Sequence, residues 1–162
     1  MQAKVLYFGL FIIASILTIV AFSLNAQVNS TYVLTLSAAK KIAAEAVKYA
    51  TTNQAPGGSI AIVDAAGTVI YLERLDNTFP QASEVSIQKA RTAALFKKET
   101  KSFEDGINGG RIALTTVGPV MLQGGVPIIY KGEVIGAIGV SGSKSADQDT
   151  EIAKAAVAIK FD

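Results

Sequence analysis

The sequence predicts a single domain of mixed helix and sheet, in which helices alternate with two β-hairpins. At 162 residues with half its side chains apolar, the chain is long enough for one core and too short for two ordinary domains. Apolar residues recur at helical spacing in separate stretches, and β-branched runs pair off around short Asp/Gly and Lys-Gly turns.

The first 26 residues, MQAKVLYFGLFIIASILTIVAFSLNA, carry one cation at Lys4 and no further charge. A signal peptide needs an apolar stretch of about 7–15 residues and a small residue at the cut, and a membrane span needs about 20 apolar residues. Val5 to Leu24 meets both demands. Gly9, Ser15 and Thr18 dilute a span, and Asn25-Ala26 offers a cleavage point. Residues 1–26 are therefore read as a signal peptide, with an N-terminal anchor as the alternative. Residues 27–162 are the globular domain, exported to a periplasm or the outside.

Between 35 and 51, Leu36, Ala39, Ala43, Ala46, Val47 and Ala50 recur at helical spacing opposite Lys40, Lys41, Glu45 and Lys48. Thr35 or Ser37 caps this helix, and the run from Gln54 to Gly58 ends it. Runs at 59–63 and 68–75 predict a hairpin turning at Asp64 to Gly67. Both faces of its second strand mix apolar and charged residues, so one or both are expected to meet another chain. A second helix is predicted over 83–96, with Lys89, Arg91, Lys97 and Lys98 clustering toward its end. A short helical turn over 100–107 stops at Asn108-Gly109-Gly110.

The stretch GGVPIIYKGEVIGAIGVSGSKS at 124–145 poses a choice between a phosphate loop and a sheet. A P-loop needs its lysine directly after the last glycine, whereas here Ser143 separates Gly142 from Lys144. Gly136, Gly139 and Gly142 are spaced by threes, which fails the dinucleotide fingerprint as well. Ser145 and Gln148 form a capping box for a closing helix whose first turns carry Asp147, Asp149 and Glu151, so a phosphate there would meet carboxylates. The stretch is read as strands over 126–130 and 133–140 turning at Lys131-Gly132. Gly136 and Gly139 mark a bulge or a close backbone approach, to a neighbouring subunit or to a flat ligand.

Composition closes off much chemistry. With no cysteine and no histidine, the chain has no disulfides, no thiolate nucleophile, no Ser-His-Asp triad and no common zinc site. A net charge of +2 without a basic stripe excludes nucleic acid as the expected partner. What remains is Lys, Arg, Asp, Glu, Tyr, Ser and Thr, or a cofactor that brings its own reactivity.

The segments LTLSAAKKIAAEAV at 34, SIAIVDAAGTVIYLERLD at 59, QKARTAALF at 88, GGVPIIYKGEVIGAIGVSG at 124 and DQDTEIAKAA at 147 together resemble the GlcG/HbpS-like family, which includes the C-terminal domain of PduO-type proteins. The resemblance covers residues 33 to 160. It implies an α+β domain with an antiparallel sheet of about five strands flanked by helices, assembled as a homo-oligomer and, in several members, binding haem. Relatives of the sensor type use a threonine shortly after the second helix, and Thr100 falls at that interval. Because relatives bind haem through histidine and this chain has none, an axial ligand here would be Tyr, Met, Lys or a hydroxyl.

The candidate cofactor-binding residues are Thr100, Lys89, Arg91, Lys97, Lys101 and Met121. Binding at Thr100 would lean on propionates meeting Lys97, Lys98 or Lys101. Lys89 and Arg91 lie beside alanines where they can clamp a carboxylate, or else form a solvated face or pair with Glu84 or Glu99. Met121 offers a thioether, or fills a gap in the core. Tyr71 and Tyr130 are read as packing residues, and Glu104, Asp105, Asp147 and Asp149 as capping and solubilising residues rather than metal ligands. The expected function is an exported haem- or tetrapyrrole-binding protein, haem-degrading or redox-sensing. The alternative is a binding module for another small carboxylate or a partner protein. No acid-base or nucleophile pair points to an enzyme independent of a cofactor.

Overall fold

Thr35 opens the first helix. Its backbone stays extended while its hydroxyl accepts the Ala38 N–H at 3.2 Å, which satisfies one of the donors that a helix start leaves open. The computed structural model describes residues 31–161, and the expected signal peptide or anchor at 1–26 lies outside them. Among the described residues no helix is long and apolar enough to cross a membrane. The chain runs through α1 (Leu36–Thr52), β1 (Ser59–Asp64), β2 (Val69–Arg74), α2 (Ala82–Phe96), α3 (Lys101–Asn108), a 3-10 stretch (Ile112–Val117), β3 (Gly125–Tyr130), β4 (Glu133–Ser141) and α4 (Ala146–Val157). From Tyr32 onward the described residues form one compact unit.

The strands make one antiparallel sheet in the order β2-β1-β4-β3. This is the expected α+β arrangement, with four strands where about five were expected. A further β-branched run, Ile112–Val117, coils into 3-10 turns instead, and the Thr115 and Thr116 hydroxyls donate back to the Ile112 and Ala113 carbonyls, each at 2.8 Å. Such local bonds compete with a sheet ladder for the backbone.

Both hairpin turns follow from local chemistry. Asp64 Oδ1 accepts the N–H groups of Ala66 and Thr68 at 2.9 and 2.8 Å, the local side-chain bonding that favours Asp in turns. Lys131 and Gly132 both take positive φ, 48° and 83°, the pairing whose twist suits a two-residue hairpin.

Alternation along the strands gives the sheet two unlike faces. Ile60, Ile62, Val126, Ile128, Ile138 and Val140 pack with Ile42, Ala43 and Ala46 of α1 and Ile152 and Ala153 of α4. On the opposite face Ala61, Val63 and Ala137 meet Ala90, Ala93 and Ala94 of α2. Gly125 and Gly139 let α2 settle there: a Cβ at Gly139 would overlap Ser86 O and Ala90 N, and one at Gly125 would overlap Lys89 O. The close approach expected of Gly139 is thus to a helix of the same chain, and Gly136 accommodates the Val63 carbonyl and Leu34. β2 is an edge strand with Val69 and Leu72 exposed, although Ile70 and Tyr71 pack against the isoleucine face. This explains its mixed sequence.

Candidate functional site

Between α2 and β3 the chain leaves the sheet, and a set of side chains fastens this excursion. Thr100 is wholly buried: the Gly125 N–H donates to its Oγ1 at 2.8 Å, and its own N–H donates to the Gly125 carbonyl at 3.0 Å. Thr92 Oγ1 donates to the Val120 carbonyl at 2.8 Å, and the Gln123 N–H donates to Glu104 Oε2 at 2.7 Å. Gln123 also donates through Nε2 to Asp147 Oδ1 at 3.1 Å and accepts from Thr150 Oγ1 at 3.2 Å. These bonds tie the excursion to α2, β3 and α4.

They frame a cleft of about 500 Å³, walled by Ile107, Pro119, Met121 and Leu122 with Glu104, Asn108 and Thr115 as its polar members and Ala146 from the start of α4. That volume lies within the range of about 300–1,000 Å³ common for small-molecule sites, and the mix of apolar walls with a few polar groups is typical of them. Met121 is only 7 % exposed, so its thioether belongs to the cleft wall rather than to the surface. Lys101 on α3 donates to Asp105 Oδ1 at 2.8 Å. That bond holds the ammonium pKa above the ordinary lysine value against the opposing effect of desolvation, and the charges of Asp105, Asp147 and Glu104 act in the same direction as the bond.

The remaining candidates lie apart from the cleft. Lys89, 3 % exposed, donates to the Val140 carbonyl at 2.9 Å and to Asp149 Oδ2 at 3.0 Å. The other oxygen of Asp149 accepts from Ser143 Oγ at 2.6 Å and Ser143 N at 3.1 Å. Lys89 therefore joins α2, β4 and α4 from inside, and neither of its expected partners is its own: Glu84 accepts from Gln88, and Glu99 pairs with Lys154. Arg91 Nε donates to the Gly67 carbonyl at 3.1 Å, securing the first hairpin turn to α2. Lys97 ends α2 in a left-handed conformation at φ 53° with its side chain exposed, and Lys98 Nζ lies 5.6 Å from the centroid of the Phe103 ring. Tyr71 Oη donates to Glu73 Oε2 at 3.1 Å, and that bond, with the carboxylate charge, raises the phenol pKa.

Of the candidate cofactor-binding residues, Met121 lines the cleft, whereas Lys101 stands one turn before Glu104 on α3 and is not among the lining residues. Thr100 and Lys89 go to the interior around Gly124 and Gly125, and Arg91 and Lys97 lie elsewhere. Sequence reasoning missed Ile107, Pro119 and Leu122 as walls, Gln123 as the link between Glu104 and Asp147, and Asp149 as the partner of Lys89. A signal was present in the polar Gln123 directly before two buried glycines.

The sequence matches the family model described as "Haem degrading protein HbpS-like" over residues 34–158. It is 47% identical over 85 residues to Protein GlcG of Escherichia coli K12, a match that covers 51% of the chain and 63% of that protein. Among solved structures, Klebsiella pneumoniae protein ORFY superposes with a TM-score of 0.77 at 28% identity, covering 85% of this chain and all of that one. A structure described as a PduOC:heme complex superposes with a TM-score of 0.71 at 29% identity, covering 78% of this chain and 94% of that one.

Proposed function

The chain belongs to the HbpS-like family, and from that premise we propose that it binds haem or a related tetrapyrrole in the cleft between α3, the 3-10 stretch and the start of α4. The observation that carries this reading is Met121, a buried thioether among Ile107, Pro119 and Leu122 in a chain that has neither histidine nor cysteine. A thioether is one of the axial ligands that haem iron takes in proteins, and the cleft volume and apolar walls suit a flat macrocycle. Bound there, haem would supply redox chemistry at iron.

The protein's own groups have separate tasks. Ile107, Pro119 and Leu122 keep water from the ring, and Asn108 and Thr115 serve its polar edge. Lys101, now bonded to Asp105, would supply an ammonium for a propionate. Thr100 acts at one remove by holding Gly125, and Lys89 by holding Val140, whose N–H donates to the Gly124 carbonyl. In this reading the protein is exported through residues 1–26 and works as a homo-oligomer. The uncharged run after Lys4 supports the first, and the exposed apolar side chains Leu95, Phe96, Ile112 and Val117 support the second.

Haemin titration of the purified protein, followed by visible absorption, tests the proposal. We expect saturable binding with a shifted Soret band. Met121→Leu, which nearly conserves volume, should move that band, and Leu122→Asp should weaken binding. No saturable shift in the unaltered protein overturns the proposal, and an unchanged spectrum in Met121→Leu removes the thioether as ligand. A second reading, a site for another small carboxylate, is favoured by the Lys101 ammonium in a chain without histidine. Thermal stabilisation by such an acid but not by haemin would select it.

A further inference from the structure

Three aromatic side chains converge at the second hairpin turn. Tyr130 closes β3, Tyr32 lies just before α1, and Phe161 lies beyond α4. Tyr32 and Tyr130 meet edge to face at 4.9 Å between centroids, and Tyr130 and Phe161 at 5.9 Å. Together with Val33, Leu34 and Ile135 they line a pocket of about 170 Å³. That falls below the range of about 300–1,000 Å³ common for sites of drug-sized ligands. No acidic or basic side chain is among its lining residues.

A cation nevertheless stands against these rings. Lys131 Nζ lies 5.3 Å from the centroid of Tyr32 and 5.3 Å from that of Tyr130. The faces of aromatic rings carry negative potential, and a positive group within about 6 Å of them is attracted. Rings shared by one ammonium are how proteins recognise quaternary ammonium ligands. Tyr130 and Phe161 pack against the isoleucine face of the sheet, whereas Lys131 is exposed at the turn on a flexible stem. Its ammonium is also strongly hydrated, so a methylated ammonium loses less on leaving water.

We infer that the aromatic cluster bordering this pocket binds a small methylated ammonium compound, and that Lys131 covers the Tyr32 and Tyr130 rings when no ligand is present. The site is separate from the cleft and does not depend on the haem reading.

The test is a calorimetric titration of the purified protein with tetramethylammonium chloride against sodium chloride at matched ionic strength. Tyrosine fluorescence serves as a second readout, since the chain has no tryptophan. We expect weak, saturable binding. Lys131→Asn removes the internal competitor while tolerating the left-handed turn, and should tighten binding several-fold. Tyr130→Leu should abolish it, and Phe161→Leu serves the same purpose if Tyr130→Leu fails to fold. Haemin titrations should be unchanged in Lys131→Asn and Phe161→Leu. The inference is overturned if neither the unaltered protein nor Lys131→Asn binds saturably, or if folded cage variants bind as well as the unaltered protein.

Discussion

One face of the sheet is filled with isoleucine and the other with alanine and glycine, and the two hold their helices by different physics. Against α1 and α4, Ile60, Ile62, Ile128 and Ile138 remove large apolar areas from water, and that area is the main stabilising quantity. Against α2 the side chains are small, so the helix rests almost on the strand backbone over Gly125 and Gly139. Cohesion there comes from many short dispersion contacts and from polar fastening: Lys89 to Asp149 and Val140, and Ser59 to Ser86 at 3.1 Å. No buried side-chain nitrogen or oxygen among the described residues lacks a partner, which is the condition under which a buried polar cluster is tolerated. The lesson is that a helix can be bound to a sheet by proximity instead of by bulk, at the cost of tolerating almost no added atom.

Three substitution sets break or sharpen this contrast. Gly139→Val should have the largest effect, because its Cβ would collide with the backbone of Ser86 and Ala90. We expect loss of the cooperative thermal transition or insoluble protein. Lys89→Ala comes next, since it leaves the Asp149 carboxylate buried without its cation. The expected loss is about 3–5 kcal/mol, read by urea denaturation. Lys89→Met combined with Asp149→Asn removes both charges and should recover part of that loss. The smallest pair lies on adjacent residues of β1 that face opposite ways. Ala61→Val, which adds volume on the close-packed face, should cost about 1–3 kcal/mol. Ile62→Val, which removes one methylene on the isoleucine face, should cost about 0.5–1.5 kcal/mol. If the two costs are reversed in order across replicate melts, the faces are not packed as differently as described.

What was legible in the sequence is what neighbours in the chain decide. Thr35 caps α1, Asp64 closes the first turn, and Lys131-Gly132 makes the second, each through groups a few residues apart. The same holds for the start of α4, where Ser145 Oγ accepts the Gln148 N–H at 3.2 Å. In that capping arrangement Gln148 reaches back to the Lys144 N–H at 2.9 Å rather than to Ser145 itself. The tertiary partners were not legible. Gly139 announced a close approach but not that Ser86 and Ala90 make it. For Lys89 the sequence offered Glu84 and Glu99 nearby on the chain, yet the fold delivers Asp149, 60 residues away. Thr100 stood at the interval that the resemblance singled out, and its hydroxyl turns inward to Gly125. The cleft walls were the hardest to foresee, because Ile107, Pro119 and Leu122 are single apolar residues in an irregular stretch with no periodicity to mark them.

The excursion that carries the cleft has an energetic standing of its own. Neither α3 nor the 3-10 stretch contains a buried residue, and the bonds of Thr100, Thr92 and Gln123 lie at its margins. Such a segment can open as a cooperative unit with a free energy well below that of the whole domain. Occupancy of the cleft would then stitch Met121 to Ile107 on α3. Under the proposed function, ligand affinity would contain the ordering of residues 101–122, and amide exchange there should slow on binding while β1 and β4 keep the protection they already have.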